Sequence, residues 1–154
     1  MNGEIKIGID PGVGGGIAWH ITGCQPAAES MPDTPQELVN LLEGIQKDGD
    51  VRVYLEEVGG YAGGPGNTGS SMFTFGRNFG QLLGVCAALS IPVELVKPQR
   101  WQKALGLGTS SGLSKSQWKN KLKVRATQLY PNVKVTLKVA DALLIHHAAQ
   151  KGLI

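Results

Sequence analysis

Residues 4–21, EIKIGIDPGVGGGIAWHI, set the fold. Ile5, Ile7 and Ile9 alternate with Lys6, Gly8 and Asp10, the period of two that marks a strand with one buried face. Pro11-Gly12 and Gly14-Gly15-Gly16 supply a tight turn, and IAWHI (17–21) returns as the second arm of a hairpin. Downstream, a short strand is expected over 26–31. A helix is expected over about 35–47, capped by Thr34 or Asp33 with Pro35 in its first turn. VRVYLEE (51–57) is a clear strand, with Val51, Val53 and Leu55 on one face and Arg52, Tyr54 and Glu56 on the other. GGYAGGPGNTG (59–69) holds six glycines and reads as a mobile loop. The pattern then predicts a long helix over about 70–89 capped by Ser70 or Ser71, a short buried strand over 91–96, and a helical turn opened by Pro98 and running to about 105. After a second Gly-rich loop (106–113), Ser114 caps a helix to Tyr130, stopped by Pro131. A last helix covers 137–151 and ends near Gly152. A hairpin-led sheet followed by strands alternating with helices is α/β, and 154 residues make one domain, 1–154.

Composition narrows the classes of function. No apolar run reaches the roughly 18 residues of a membrane span, and the start lacks a basic region and a signal core. Two distant cysteines, Cys24 and Cys86, exclude a disulfide scaffold and a cysteine zinc site, and fit the reducing cytoplasm. The net charge of +3 hides an asymmetry: residues 1–57 carry three Lys/Arg against ten acids, whereas residues 58–154 carry twelve against only Glu94 and Asp141. A half that basic is either a solvated surface or the footprint of a polyanion, most often nucleic acid.

Three acids carry the chemistry. Asp10 and Glu56 each end a strand, on the face opposite its buried aliphatics. On neighbouring strands they would converge at one edge of the sheet, where active sites form in α/β folds. Close carboxylates repel unless a cation lies between them, and an oxygen-only site favours Mg²⁺ or Mn²⁺. Asp141 lies in the otherwise apolar ADALLIHHAA, where an unpartnered charge is unfavourable.

GIDPGVGGGIA (8–18), YLEEVGG (54–60) and VADALLIHHAA (139–149) resemble, in order, the three active-site segments of RuvC-type Holliday junction resolvases, in the RNase H-like superfamily. Residues 71–107 resemble the compact phage and organellar members more than the larger bacterial ones. The resemblance implies an RNase H-like mixed sheet led by the hairpin and flanked by helices. It also implies a homodimeric endonuclease that resolves four-way DNA junctions, cutting one phosphodiester per strand with two metal ions, Mg²⁺ with Mn²⁺ able to substitute. Asp10, Glu56 and Asp141 match the family's metal-binding acids, with Glu57 as the rival of Glu56. Other readings are a less selective nuclease for branched or single-stranded DNA, and a junction-binding protein with little cleavage. An actin-like or sugar-kinase ATPase opens with a similar Asp-Gly hairpin, but that fold needs two such domains.

One position departs from the family. Where it usually places an acid or histidine, one helical turn before the last aspartate, this chain has Lys138. Three residues are about 60° around a helix, so Lys138 is expected on the face of Asp141, replacing a metal's charge, orienting the water, or pairing with Asp141. His146 and His147 fall about 140° and 240° around from Asp141 and read as surface or buried hydrogen-bonded side chains rather than ligands.

The remaining expectations concern DNA and the dimer. Lys115, Lys119 and Lys123 repeat at steps of four as a basic stripe, and Trp118, Leu122, Ala126 and Leu129 are the buried face of that helix. With Arg77, Lys97, Arg100 and Lys103 they are candidate phosphate contacts, and Tyr61 is either a base-stacking residue or a plain loop aromatic. In the 70–89 helix, Phe75, Phe79, Leu82, Leu83, Cys86 and Leu89 form an apolar face. Gly76, Gly80 and Gly84 form another, against either the chain's own sheet or a partner helix across a two-fold axis.

Overall fold

The computed structural model describes residues 3–57, 59 and 68–154. Its sheet has five strands: β1 (Ile5–Asp10), β2 (Gly16–Trp19), β3 (Ala27–Ser30), β4 (Val51–Glu56) and β5 (Val93–Val96), in the order β3-β2-β1-β4-β5. β1, β2 and β3 form the antiparallel meander that the glycine turn dictates, while β4 joins β1 and β5 joins β4 in parallel. The helices are α1 (Pro35–Gln46), α2 (Gly69–Ala88), α3 (Pro98–Ala104), α4 (Lys115–Leu129) and α5 (Leu137–Gln150). Among the described residues no helix is long and apolar enough to cross a membrane.

Local chemistry sets the helix starts. Thr34 caps α1 and Ser114 caps α4, each in a reciprocal box with the residue three positions on. The long helix is capped by Thr68 rather than by Ser70 or Ser71, because Ser71 serves as the returning partner of Thr68.

Strand alternation separates two apolar cores. Ile5, Ile7, Ile9, Val51, Val53 and Leu55 face the side covered by α1 and α2, with Leu42, Leu82 and Cys86. Ala18, Tyr54 and Val96 face the other side, under α5, where Trp101, Trp118 and Leu122 complete the packing. α5 crosses β1 at Gly8, where any side chain would overlap the carbonyl oxygen of Ala142 and the amide nitrogen of His146. That close passage brings Asp141 within reach of the ends of β1 and β4.

In α2 two face assignments change. Leu83 is exposed, and Asn78 occupies the buried side with Leu82 and Cys86. Among the described residues, nothing lies where a side chain on Gly76, Gly80 or Gly84 would stand, so this face does not serve the chain's own sheet.

Candidate active site

β1 and β4 run parallel with Ile9 beside Leu55, so Asp10 and Glu56 are one step further along neighbouring strands. Both point to the α5 side, opposite the isoleucines. The turn after Asp10 is fixed by Gly12, whose φ of 99° suits glycine and whose amide donates to Asn78 Oδ1 at 2.7 Å. Glu56 is buried, and the indole Nε1 of fully buried Trp101 donates to its Oε2 at 2.8 Å. Asp141, only 4% exposed, pairs through Oδ2 with the ammonium of Lys119, which reaches across from α4.

The three acids feel one another. Burial raises the Asp10 carboxyl well above the ordinary carboxylate range, and the charges of Asp141 and Glu56 add to it, with Lys119 opposing. Burial likewise pushes Glu56 up to about 7; the Trp101 bond and Lys119 pull down and Asp141 pushes up. Burial draws Lys119 downward, but the charge and hydrogen bond of Asp141, with Asp10 and Glu56 behind, more than offset it and hold the ammonium above its usual value.

These residues fit a divalent cation. Asp141 Oδ1 is buried without a hydrogen-bond partner among the described residues, and mutually repelling carboxylates are relieved by a positive ion among them. The cage is not closed in advance: among the described residues, no three His, Cys, Asp or Glu side chains are gathered as a ready metal-binding group. Beside Asp10 a groove of about 750 Å³ opens between the β1–β2 turn and α2, with Phe75, Phe79 and Lys119 in its lining.

No protein-family model matches the chain, and no curated protein matches it. Among solved structures, it is similar to Thermus thermophilus RuvC in complex with a Holliday junction substrate, with a TM-score of 0.60 at 17% identity over 97% of each chain. A second structure of Thermus thermophilus RuvC gives a TM-score of 0.57 at the same identity and coverage. The fold is RuvC-like. Its mixed sheet, with parallel and antiparallel pairs and helices around it, is the RNase H-like arrangement expected from the three acidic segments.

On this RuvC-like frame the other candidates scatter. Lys138 lies in the first turn of α5 and is exposed, whereas Asp141 is turned toward α4; the lysine paired with Asp141 is therefore Lys119. This takes Lys119 off the exposed stripe and leaves exposed Lys115 and half-buried Lys123 on it. Lys97 and Lys103 are exposed on α3 and its cap, Arg100 is paired with Glu94 at 2.9 Å, and Arg77 lies over the Phe73 ring. Glu57 is half-buried, its amide donating to the Val96 carbonyl, while Glu56 is the acid whose proton affinity responds to Asp141. Tyr61 lies outside the described residues. His146 is buried and donates through Nδ1 to the Lys6 carbonyl at 2.8 Å, the bland role expected of it.

Asn78 and Trp101 went unnoticed in the sequence. Asn78 had a signal: it stands three residues after Phe75 and four before Leu82, a polar side chain on an apolar face. Trp101 had a weaker one, the lone large apolar residue in PQRWQK.

Proposed function

We propose that this chain is a metal-dependent, structure-selective DNA endonuclease that resolves four-way junctions by hydrolysing one phosphodiester in each of two strands. The observation that carries this reading is the meeting of Asp10, Glu56 and Asp141 at the ends of β1 and β4 on a RuvC-like fold. The neighbouring RuvC is itself in complex with a Holliday junction substrate, which supports branched DNA as the ligand. Mg²⁺ is the proposed cofactor, with Mn²⁺ able to substitute, held by the three acids; it would stabilise charge developing at phosphorus and lower the pKa of the attacking water. Trp101 orients Glu56, Asn78 holds the turn behind Asp10, and Lys115, Lys123, Lys97 and Lys103 track the phosphates. A junction cut in two strands calls for two copies, and the open glycine face of α2 is the proposed dimer contact. Kinship with the compact phage and organellar enzymes rests on residues 71–107 alone.

The Lys119–Asp141 pair favours one alternative, a junction-binding protein with little cleavage. A labelled four-way junction, a duplex and a single strand, each with and without Mn²⁺, separate the readings. Cutting confined to the junction supports the proposal, and tight binding without cutting supports the alternative. Asp10→Asn should lower cleavage at least about a hundredfold, since several kcal/mol of charge stabilisation are at stake, while junction affinity holds or rises. Joint loss of binding and cleavage in a folded variant would make Asp10 a structural residue.

A further inference from the structure

We infer that Lys119 is a displaceable counter-ion, holding the Asp141 side of the site against a second cation until a DNA phosphate draws it away. This rests on the metal-dependent reading above and adds a regulation to that same site: one divalent ion without DNA, two with it.

The donors on the two buried acids differ in kind. Glu56 is held by a neutral indole N–H, which orients one oxygen and leaves the full negative charge for a cation. Asp141 is held by an ammonium, which cancels that charge. Its other oxygen, Oδ1, is buried and without a partner among the described residues, so a ligating atom is available there once the competing positive charge has gone. Lys119 is built to leave. Its side chain is 37% exposed and lines the groove beside Asp10, and its compact charge sits on a flexible four-carbon stem.

Charge counting gives two balanced states. Three ionised acids, Lys119 and one divalent ion sum to zero. The same acids with two divalent ions and one phosphodiester also sum to zero, but only when Lys119 has moved out. Lys119 together with two ions and no phosphate leaves an uncompensated positive charge of two in a partly buried site, which is unfavourable. The groove opening next to Lys119 is where a second phosphate, beside the one on the ions, would meet it, and an ammonium exchanges a carboxylate for a phosphate without change of charge. Substrate thereby completes the metal site, and the free protein is kept from assembling it.

Counting bound Mn²⁺ by electron paramagnetic resonance, with spin coupling as the signature of a paired site, tests this without reference to turnover. The wild-type chain alone should bind one ion per protomer, and two when saturated with a phosphorothioate-protected junction. Lys119→Met, which keeps most of the aliphatic stem, should bind two without DNA, the second at least about tenfold more tightly than in wild type, a modest return for removing one like charge at ion-pair distance. Two ions of similar affinity in the DNA-free wild type would overturn the inference, as would a single ion in Lys119→Met or in the wild-type–junction complex. If the variant does not fold, the two wild-type measurements decide alone. Absence of bound Mn²⁺ in every state would overturn the metal-dependent reading along with it, whereas one ion throughout overturns only the counter-ion.

Discussion

α5 and α2 border the site from two sides, and they are built on opposite plans. In α5, ten of 14 residues are buried, because the sheet covers one side and α4 another. In α2, only Asn78, Leu82 and Cys86 of 20 are buried, and Phe73, Met72 and Leu83 stand exposed near the three open glycines. A helix apolar all round is a core element, so a carboxylate within it must have a partner. A helix with one buried edge and a smooth outer face has a free side that the described residues do not cover. On the proposed function, the contrast assigns chemistry to α5 and association to α2.

The largest expected effect lies where α5 meets the sheet. Gly8→Ala puts a methyl into the backbone of Ala142 and His146, where no flexible side chain can give way. Overpacking of that kind should destabilise the fold by about 3 kcal/mol or more, read as a shift of the urea midpoint. A change below about 0.5 kcal/mol would mean that α5 can slide on β1, and the contrast between the helices would lose its basis.

Much of this frame is legible in the residues. Strand periodicity fixes which faces carry Asp10 and Glu56, and turn and cap residues fix most element ends to within a residue or two. What escaped depends on contacts across the fold. Lys119 follows its stripe by spacing, yet the crossing of α4 over α5 turns it inward to Asp141. Lys138, one turn from Asp141 on the same helix, runs to solvent, because helical spacing does not say how deep a position lies. Trp101 finds Glu56 across 45 positions of sequence, and no local pattern announces such a bond.

A smaller effect depends on pH and belongs to the core helix. Burial lowers His146 from 6.5 to about 4, against the opposing effect of the hydrogen bond that its ring donates to the Lys6 carbonyl. The unfolded chain takes up that proton first, so the stability in question is complete above pH 6.5 and is lost as pH falls toward 4. By pH 5 the loss is about 2 kcal/mol. Glu56 works with the opposite sign: its folded pKa of about 7 exceeds the ordinary 4.5 of a glutamate, so acidification through that window favours the fold. His146→Asn, with an amide donor for the Lys6 carbonyl, isolates the histidine. Its stability should gain about 2 kcal/mol on wild type between pH 7.5 and pH 5, and parallel curves would show that His146 is charged in the fold.

The smallest effect on stability tests the free side of α2. At Gly80 a methyl meets none of the described residues within 4 Å, so Gly80→Ala changes only the backbone entropy of the helix. In dilute solution, where association is suppressed, it should stabilise the chain by up to about 1 kcal/mol, opposite in sign to Gly8→Ala. At higher concentration the same position becomes a test of the dimer. Gly80→Leu keeps the fold but holds two α2 helices apart, so it should sediment as a monomer and nick junctions without paired cuts. Unfolding of Gly80→Leu would place that face inside the fold, against the open space seen there. A Gly80→Leu protein that self-associates like wild type would move the dimer contact off α2 and leave its glycines unexplained.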